Sequence, residues 1–224
     1  MVSALGDDVW WYDLRGVNAY LVDDGGTLTL VDAGNPWDGR TLMLGIEDAG
    51  YALQDLDRIL LTHYDFDHVG ALGRLPGLDA TVYVGQGDAP FVTGERTPPL
   101  RNHKGLLQRV LGPVLKAPEL PVETVADGDE IGSFTAYHTP GHTPGHVVYV
   151  SEALSVAFLG DLVVESNGAL QTSPWLLSYD ADEVEESIRE LVGQMPRVEI
   201  VGMGHGVPFR HGGSERLDVL AKAL

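Results

Sequence analysis

The chain has 224 residues, enough to bury a substantial core as one large α/β domain, and its 33 acidic against 14 basic residues give a formal net charge of −19. It contains no cysteine, which excludes disulfides, thiolate zinc sites, iron–sulfur clusters and a cysteine nucleophile, so any metal must be held by nitrogen and oxygen. A surface this acidic repels phosphate backbones, which argues against a nucleic-acid partner, and it suits a protein kept soluble in concentrated salt, a halophilic reading.

The N-terminal stretch MVSALGDDVWWYDLRGVN has no basic segment ahead of an apolar one. No later stretch approaches ~18 uninterrupted apolar residues, so a cytoplasmic protein without a membrane partner is expected. The paired Trp10 and Trp11 read as buried aromatic packing. NAYLVDD, TLTLVDAG and RILLTH follow as short apolar strands, with a helical pattern at GRTLMLGIEDAG, and TVYVG is a further strand. Residues 87–121 then lack strand patterning, are rich in Pro and Gly, and carry Arg96, Arg101, Lys104, Arg109 and Lys116 around one short helical stretch, HKGLLQRVL. A segment this long inside a compact domain reads as a substrate-covering loop, locally cationic and suited to an anionic substrate group. A second pass follows, with strands in ETVADGDEIGSFTAYHTPG, VVYVSEALSVAFLGD and VEIVGMGHG and an amphipathic helix at ADEVEESIRELVGQM. Two such passes predict a single domain over 1–224 built from mixed sheets with helices outside.

LTHYDFDHVG places His63, Asp65, Asp67 and His68 within six positions at the end of an apolar strand. Of the chain's eight histidines, His138, His142 and His146 lie in YHTPGHTPGH and His205 in GMGHG. Any one of these alone reads as an ordinary surface or core histidine. Together with Asp161 in FLGD they concentrate at the C-terminal ends of four predicted strands, where an α/β sheet carries its functional loops. His138 reads as partly buried, His146 as a loop residue or competing ligand, His103 as a residue of the covering loop, and His211 as solvent-facing. Tyr64 and Phe66 read as pocket floor or sheet packing. No serine lies in a G-x-S-x-G elbow, and DDGGT and HGGS lack a phosphate-loop lysine.

VDAG, the H-x-x-x-D-H cluster at 63–68, TPGHTPGH, FLGD and a terminal GHG occur in this order, and in this the chain resembles the metallo-β-lactamase superfamily of dinuclear hydrolases over nearly its whole length. The resemblance implies an α/β fold, a four-layer αββα sandwich with metals at one edge of the two sheets. It implies one metal on His63, His142 and Asp161, and a second on Asp67, His68, Asp161 and His205, with Asp32 beneath the site orienting a ligand. One position departs from the pattern, because the family usually has histidine where this chain has Asp65. Asp65 either binds the first metal as a hard oxygen donor, binds it through water or leaves that position open; direct ligation is expected, which lowers the net charge of the loaded site and makes it a weaker Lewis acid. Two divalent ions are expected, zinc foremost, with iron or manganese favoured by the extra oxygen ligand.

The mechanism implied is hydrolysis by a metal-bridging hydroxide, with Asp67 orienting it and Asp65 tuning it. The substrate expected is a small ester, thioester or lactone, since the chain resembles the glyoxalase II, lactonase and esterase side of the family rather than its cysteine-containing antibiotic-degrading members. Few residues follow His205, which leaves no room for the added helical domain of glyoxalase II. Two other classes fit the same residues. One is a flavodiiron-like redox protein with a di-iron site, which would need a flavin-binding partner. The other is a metal-bearing binding protein without turnover.

Overall fold

The computed structural model describes residues 2–224. The first half of the chain forms strands β1 (Val2–Ala4), β2 (Val9–Asp13), β3 (Asn18–Asp24) and β4 (Thr27–Val31), helix α1 (Gly39–Asp48), strands β5 (Leu56–Leu61) and β6 (Thr81–Gly85), helices α2 (Ala89–Val92) and α3 (His103–Leu111), and strand β7 (Val122–Val125). The second half forms β8 (Glu130–Ile131), β9 (Phe134–His138), β10 (Val147–Ser151), β11 (Val156–Phe158), the hairpin β12 (Val163–Ser166) and β13 (Ala169–Thr172), α4 (Ala181–Gln194), β14 (Ile200–Gly202) and α5 (Gly213–Ala223). Strands β1 to β7 make one seven-stranded sheet in chain order, antiparallel as far as β4 and parallel from β4 to β7. The second sheet runs β14-β11-β10-β9-β8, with β11 and β14 parallel and the rest antiparallel.

Strand alternation sorts the apolar side chains into three cores. On the outer face of the first sheet, Ala19, Leu21, Leu30, Ile59 and Leu61 pack with Leu42 and Ile46 of α1. On its inner face, Tyr20, Val22, Val31 and Leu60 meet Phe134, Ala136, Tyr149 and Phe158 of the second sheet. The outer face of the second sheet, through Val148, Val150 and Ala157, packs on Val184, Ile188 and Leu191 of α4 and Leu217 and Leu220 of α5. Three cores separate four layers, and the order is helix, sheet, sheet, helix. The parallel strands β4, β5 and β6 and the pair β11 and β14 all end at the same edge of this sandwich, where the His- and Asp-bearing motifs of the sequence lie.

Several elements depart from the sequence reading. Strands β1 and β2 and the β12–β13 hairpin are additional, and α2 adds a helical turn to the 87–121 segment. Val122–Val125 belongs to the first sheet, not the second, because it pairs in parallel with β6. His138 is exposed rather than partly buried. It is the last residue of β9, and its Nε2 lies 3.0 Å from the Pro144 carbonyl. No helix among the described residues is long and apolar enough to cross a membrane.

Phe158 is the keystone between the sheets, with its ring centroid 4.9 Å from that of Tyr20 and 6.0 Å from that of Phe134. Phe158→Ala is expected to cost about 3–5 kcal/mol of unfolding free energy, measured by urea denaturation. A loss below about 1 kcal/mol would show that the inter-sheet core can collapse around the gap.

Candidate metal centre

The chain leaves β5 at Leu61 and turns back on itself, with the amides of His68 and Val69 both donating to the Asp65 carbonyl at 3.0 Å. That turn aims His63, Asp65, Asp67 and His68 into one space. His142 enters from the TPGH loop between β9 and β10, Asp161 from the single 3-10 turn after β11, and His205 from the loop after β14. Two glycines make the approach possible. A Cβ on Gly204 would fall into the Asp161 carboxylate and the His68 ring, and one on Gly160, whose φ is +50°, would lie 2.7 Å from Thr62 and 2.8 Å from His146 Nε2.

Two clusters of donor atoms result, His63, Asp65, His142 and Asp161 in one and Asp67, His68 and His205 in the other, each with its atoms within 4.8 Å of one another. Asp65 Oδ2 lies 3.2 Å from both His63 Nε2 and His142 Nε2. Asp161 spans the clusters, with Oδ1 3.3 Å from His68 Nε2 and Oδ2 3.2 Å from His205 Nε2 and 3.5 Å from His142 Nε2. His205 Nε2 is 3.4 Å from Asp67 Oδ2. A tetrahedral ion with bonds of about 2.0–2.1 Å spaces its donors roughly 3.3 Å apart, so these separations suit metal binding. His63 Nε2, His68 Nε2 and Asp161 Oδ1 are buried without a hydrogen-bond partner, a costly arrangement that a cation would relieve.

Each of the four histidines has its other nitrogen tied off. His68 Nδ1 lies 2.8 Å from Asp32 Oδ2, His63 Nδ1 2.9 Å from Thr62 Oγ1, His142 Nδ1 2.9 Å from Ser173 Oγ, and His205 Nδ1 2.5 Å from the Gly16 carbonyl. These partners fix the ring orientations and leave every Nε2 facing inward. Asp32 is itself held by the Thr62 amide at 2.9 Å and hydroxyl at 2.7 Å, with its backbone at a φ of +57°. Sequence reasoning placed Asp32 beneath the site and missed Thr62, Ser173 and Gly16, whose roles depend on three different loops. Asp88, also unanticipated, sits under the floor and accepts from the Tyr64 amide, the Thr143 hydroxyl and the Gly145 amide at 2.6–2.8 Å, clipping the β5 loop to the TPGH loop. Burial pushes its carboxyl up to about 6 against those donors.

The charges are arranged unevenly. Burial, with the neighbouring His68 charge, pushes His63 down to about 3, and burial with the Lys104 charge also lowers His142. Burial acts against a charged His68, but Asp161 and Asp32 on its two sides override it and hold its pKa well above the usual value. His205 is likewise raised to about 9, by Asp161 against the opposing effect of burial. Burial would raise Asp161, and the flanking His68 and His205 instead hold it well below the ordinary carboxylate range.

The 87–121 segment lies over this edge. Lys104, in the first turn of α3, is 2 % exposed and reaches Asp65 Oδ2 at 2.7 Å and His142 Nε2 at 2.5 Å. Gln108, one turn on, donates to Asp65 Oδ1 at 2.8 Å and to the Tyr64 carbonyl at 2.6 Å, and Tyr179 OH donates to its Oε1 at 2.7 Å. The sequence reading assigned Lys104 to a cationic surface; the structure buries it against the donor clusters. His146 is fully buried below them, its Nδ1 2.8 Å from Thr139 Oγ1 and its ring centroid 5.2 Å from that of His63. His103 and His211 are exposed, His103 lying against Trp175. Tyr64 packs on Phe91, and Phe66 on the exposed Trp37.

An αββα sandwich that gathers histidines and aspartates at the shared end of its two sheets defines a metallo-hydrolase fold. The sequence profile of the Metallo-beta-lactamase superfamily matches residues 12–205, and the chain belongs to that superfamily. Among its relatives, "Probable metallo-hydrolase YflN" of Bacillus subtilis (strain 168) is 30% identical over 205 residues, covering 82% of this chain and 76% of the relative. "Uncharacterized protein YobT" of the same organism is 28% identical over 212 residues, covering 90% and 87%. The crystal structure of TTHA1623 in a di-iron-bound form superposes with a TM-score of 0.70 at 29% identity, covering 95% of both chains.

Asp32→Ala removes the carboxylate that orients His68 and is expected to weaken metal affinity about 10–100-fold, measured by competition with a chromogenic chelator. Unchanged affinity would mean that the His68 ring is held by packing alone.

Proposed function

We propose that the chain is a metal-dependent hydrolase of small esters, thioesters or lactones, with His63, Asp65, His142 and Asp161 holding one divalent ion and Asp67, His68, Asp161 and His205 a second. The observation that carries this reading is the inward aim of four imidazole Nε2 atoms, each fixed from behind, onto carboxylates 3.2–3.5 Å away. Bound metal would supply Lewis acidity and a water of lowered pKa at this edge. Zinc suits the nitrogen ligands; the oxygen of Asp65 and the di-iron form of TTHA1623 favour iron or manganese as the alternative.

The chain's own residues define what enters. The pocket over the clusters has a volume of about 270 Å³ and is walled by Asn35, Phe66, Leu107, Leu111 and Leu177. That volume suits a small acyl compound. Its apolar wall would displace water from the reacting carbonyl. Asp67 stands with its Oδ2 at the mouth of the second cluster, 32 % exposed, where it can accept a proton from the attacking water as well as bind metal. The 87–121 segment closes the pocket from above, so substrate selection falls to α3 and to the turn at Trp175–Leu177.

A panel of thioesters, lactones, carboxylic esters and phosphodiesters tests the reading on protein loaded with zinc, manganese or iron. Turnover of acyl compounds, abolished by a chelator and restored by metal, is expected. Asp67→Asn is expected to lower kcat/KM by about 10²–10⁴-fold. Turnover of phosphodiesters alone, or acyl turnover that survives chelation, would overturn the proposal.

A further inference from the structure

Both carboxylate oxygens of Asp65 are taken by one turn of α3. Lys104 Nζ lies 2.7 Å from Oδ2, and Gln108 Nε2 donates to Oδ1 at 2.8 Å. A carboxylate offers an acceptor to each of two donors spaced i and i+4 along a helix, which a single imidazole nitrogen cannot. The helix is also anchored at its start. The Asn102 side chain accepts from the Lys104 and Gly105 amides and donates to the Tyr179 carbonyl at 3.0 Å, and the close approach of Gly105 to the Pro99 carbonyl leaves no room for a Cβ.

The ammonium therefore stands among the donors of the first cluster, in contact with Asp65 and with His142 Nε2, the same two atoms that the first metal would use. A divalent ion on those atoms and an ammonium beside them repel strongly at such separations. The two cannot share Asp65 Oδ2 and His142 Nε2, so one must displace the other. The second cluster, with Asp67, His68 and His205, makes no contact with Lys104 among the described residues.

We propose that Asp65, Lys104 and Gln108 form a metal-sensitive latch: one divalent ion loads on Asp67, His68, Asp161 and His205, while Lys104 occupies the first position as a tethered cation. A second ion binds only by displacing Lys104, and in doing so it frees α3 from Asp65 and opens the pocket. The latch rests on the metal-site reading above and not on the substrate or the reaction.

Equilibrium dialysis of the chelator-stripped full chain against Zn²⁺, with bound metal read by elemental analysis, tests this, together with amide hydrogen exchange across residues 103–111 in the same samples. Wild type is expected to bind one ion tightly and a second at least about tenfold more weakly, with α3 exchange rising only as the second ion enters. Lys104→Met is expected to bind two ions of similar affinity, with α3 exchange raised before metal is added. Lys222→Met, which removes the same charge from the exposed end of α5, is expected to titrate like wild type. Should Lys104→Met melt far below wild type, Lys104→Gln reads the same contrast. Two equal ions in wild type, or superimposable titrations of wild type and the Lys104 variant, would overturn the latch. Absence of bound zinc in every variant would overturn it together with the metal-site reading. A stepwise titration in a protein that hydrolyses no acyl compound would support the latch and remove only the hydrolase reading.

Discussion

Negative charge packed into the end of an apolar sandwich is the constraint around which this molecule is organised. Asp32 and Asp161 are 3 % and 5 % exposed, and Asp65 lies beside them. A buried carboxylate without compensation costs several kcal/mol, so each must be answered locally. Asp32 is answered by the amide and hydroxyl of Thr62 and by His68, Asp161 by His68 and His205, and Asp65 by Lys104, Gln108 and two histidines. His68, between Asp32 and Asp161, links two of these sets, and its orientation decides where the donors of both clusters meet.

The sandwich makes that concentration of charge possible. Parallel strands all end at one edge, and the inter-sheet core built from Tyr20, Leu60, Phe134, Tyr149 and Phe158 holds the two edges in register. The first sheet supplies Asp32, His63 to His68 and Asp88, and the second supplies His142, Asp161 and His205. Neither sheet alone brings together a complete set of donors. Small residues at Gly160 and Gly204 permit the two edges to close, because side chains there would displace Thr62 and Asp161. Stability and chemistry thus meet in the same contacts, and three of the buried atoms left without partners, His63 Nε2, His68 Nε2 and Asp161 Oδ1, belong to residues of the two donor clusters.

The covering segment adds a third source of charge. In an anionic protein with three lysines in all, one of them is buried at the donor clusters. Its partner is Asp65, the residue at which the motif departs from the pattern the chain resembles. The departure and the lysine answer each other: a carboxylate at this position gives α3 a pair of acceptors to dock on, and the docked helix in turn forms the wall of the pocket.

Much of this was written in local order. The spacing of His63, Asp65, Asp67 and His68, the repeated TPGH, and the aspartate and histidine that end two late strands named the donor residues, because a ligand loop at a strand end is a short-range pattern. Helices α1, α3 and α4 were legible within a residue or two from their periodicity. Strand β1 was not, because three residues carry too little alternation, and β7 was legible as a strand but not as a member of the first sheet, because pairing with a neighbouring strand decides its place. Nor were Thr62, Ser173 and the Gly16 carbonyl, which gain their roles only when separate loops converge, or His138, whose exposure follows from its position at the end of β9. The sequence by itself determined which chemical groups the protein could bring to a metal. Only the tertiary structure decided which of them share a space, and that Lys104 joins them, since an ammonium on a helix more than thirty residues from the nearest donor acquires that place through packing alone.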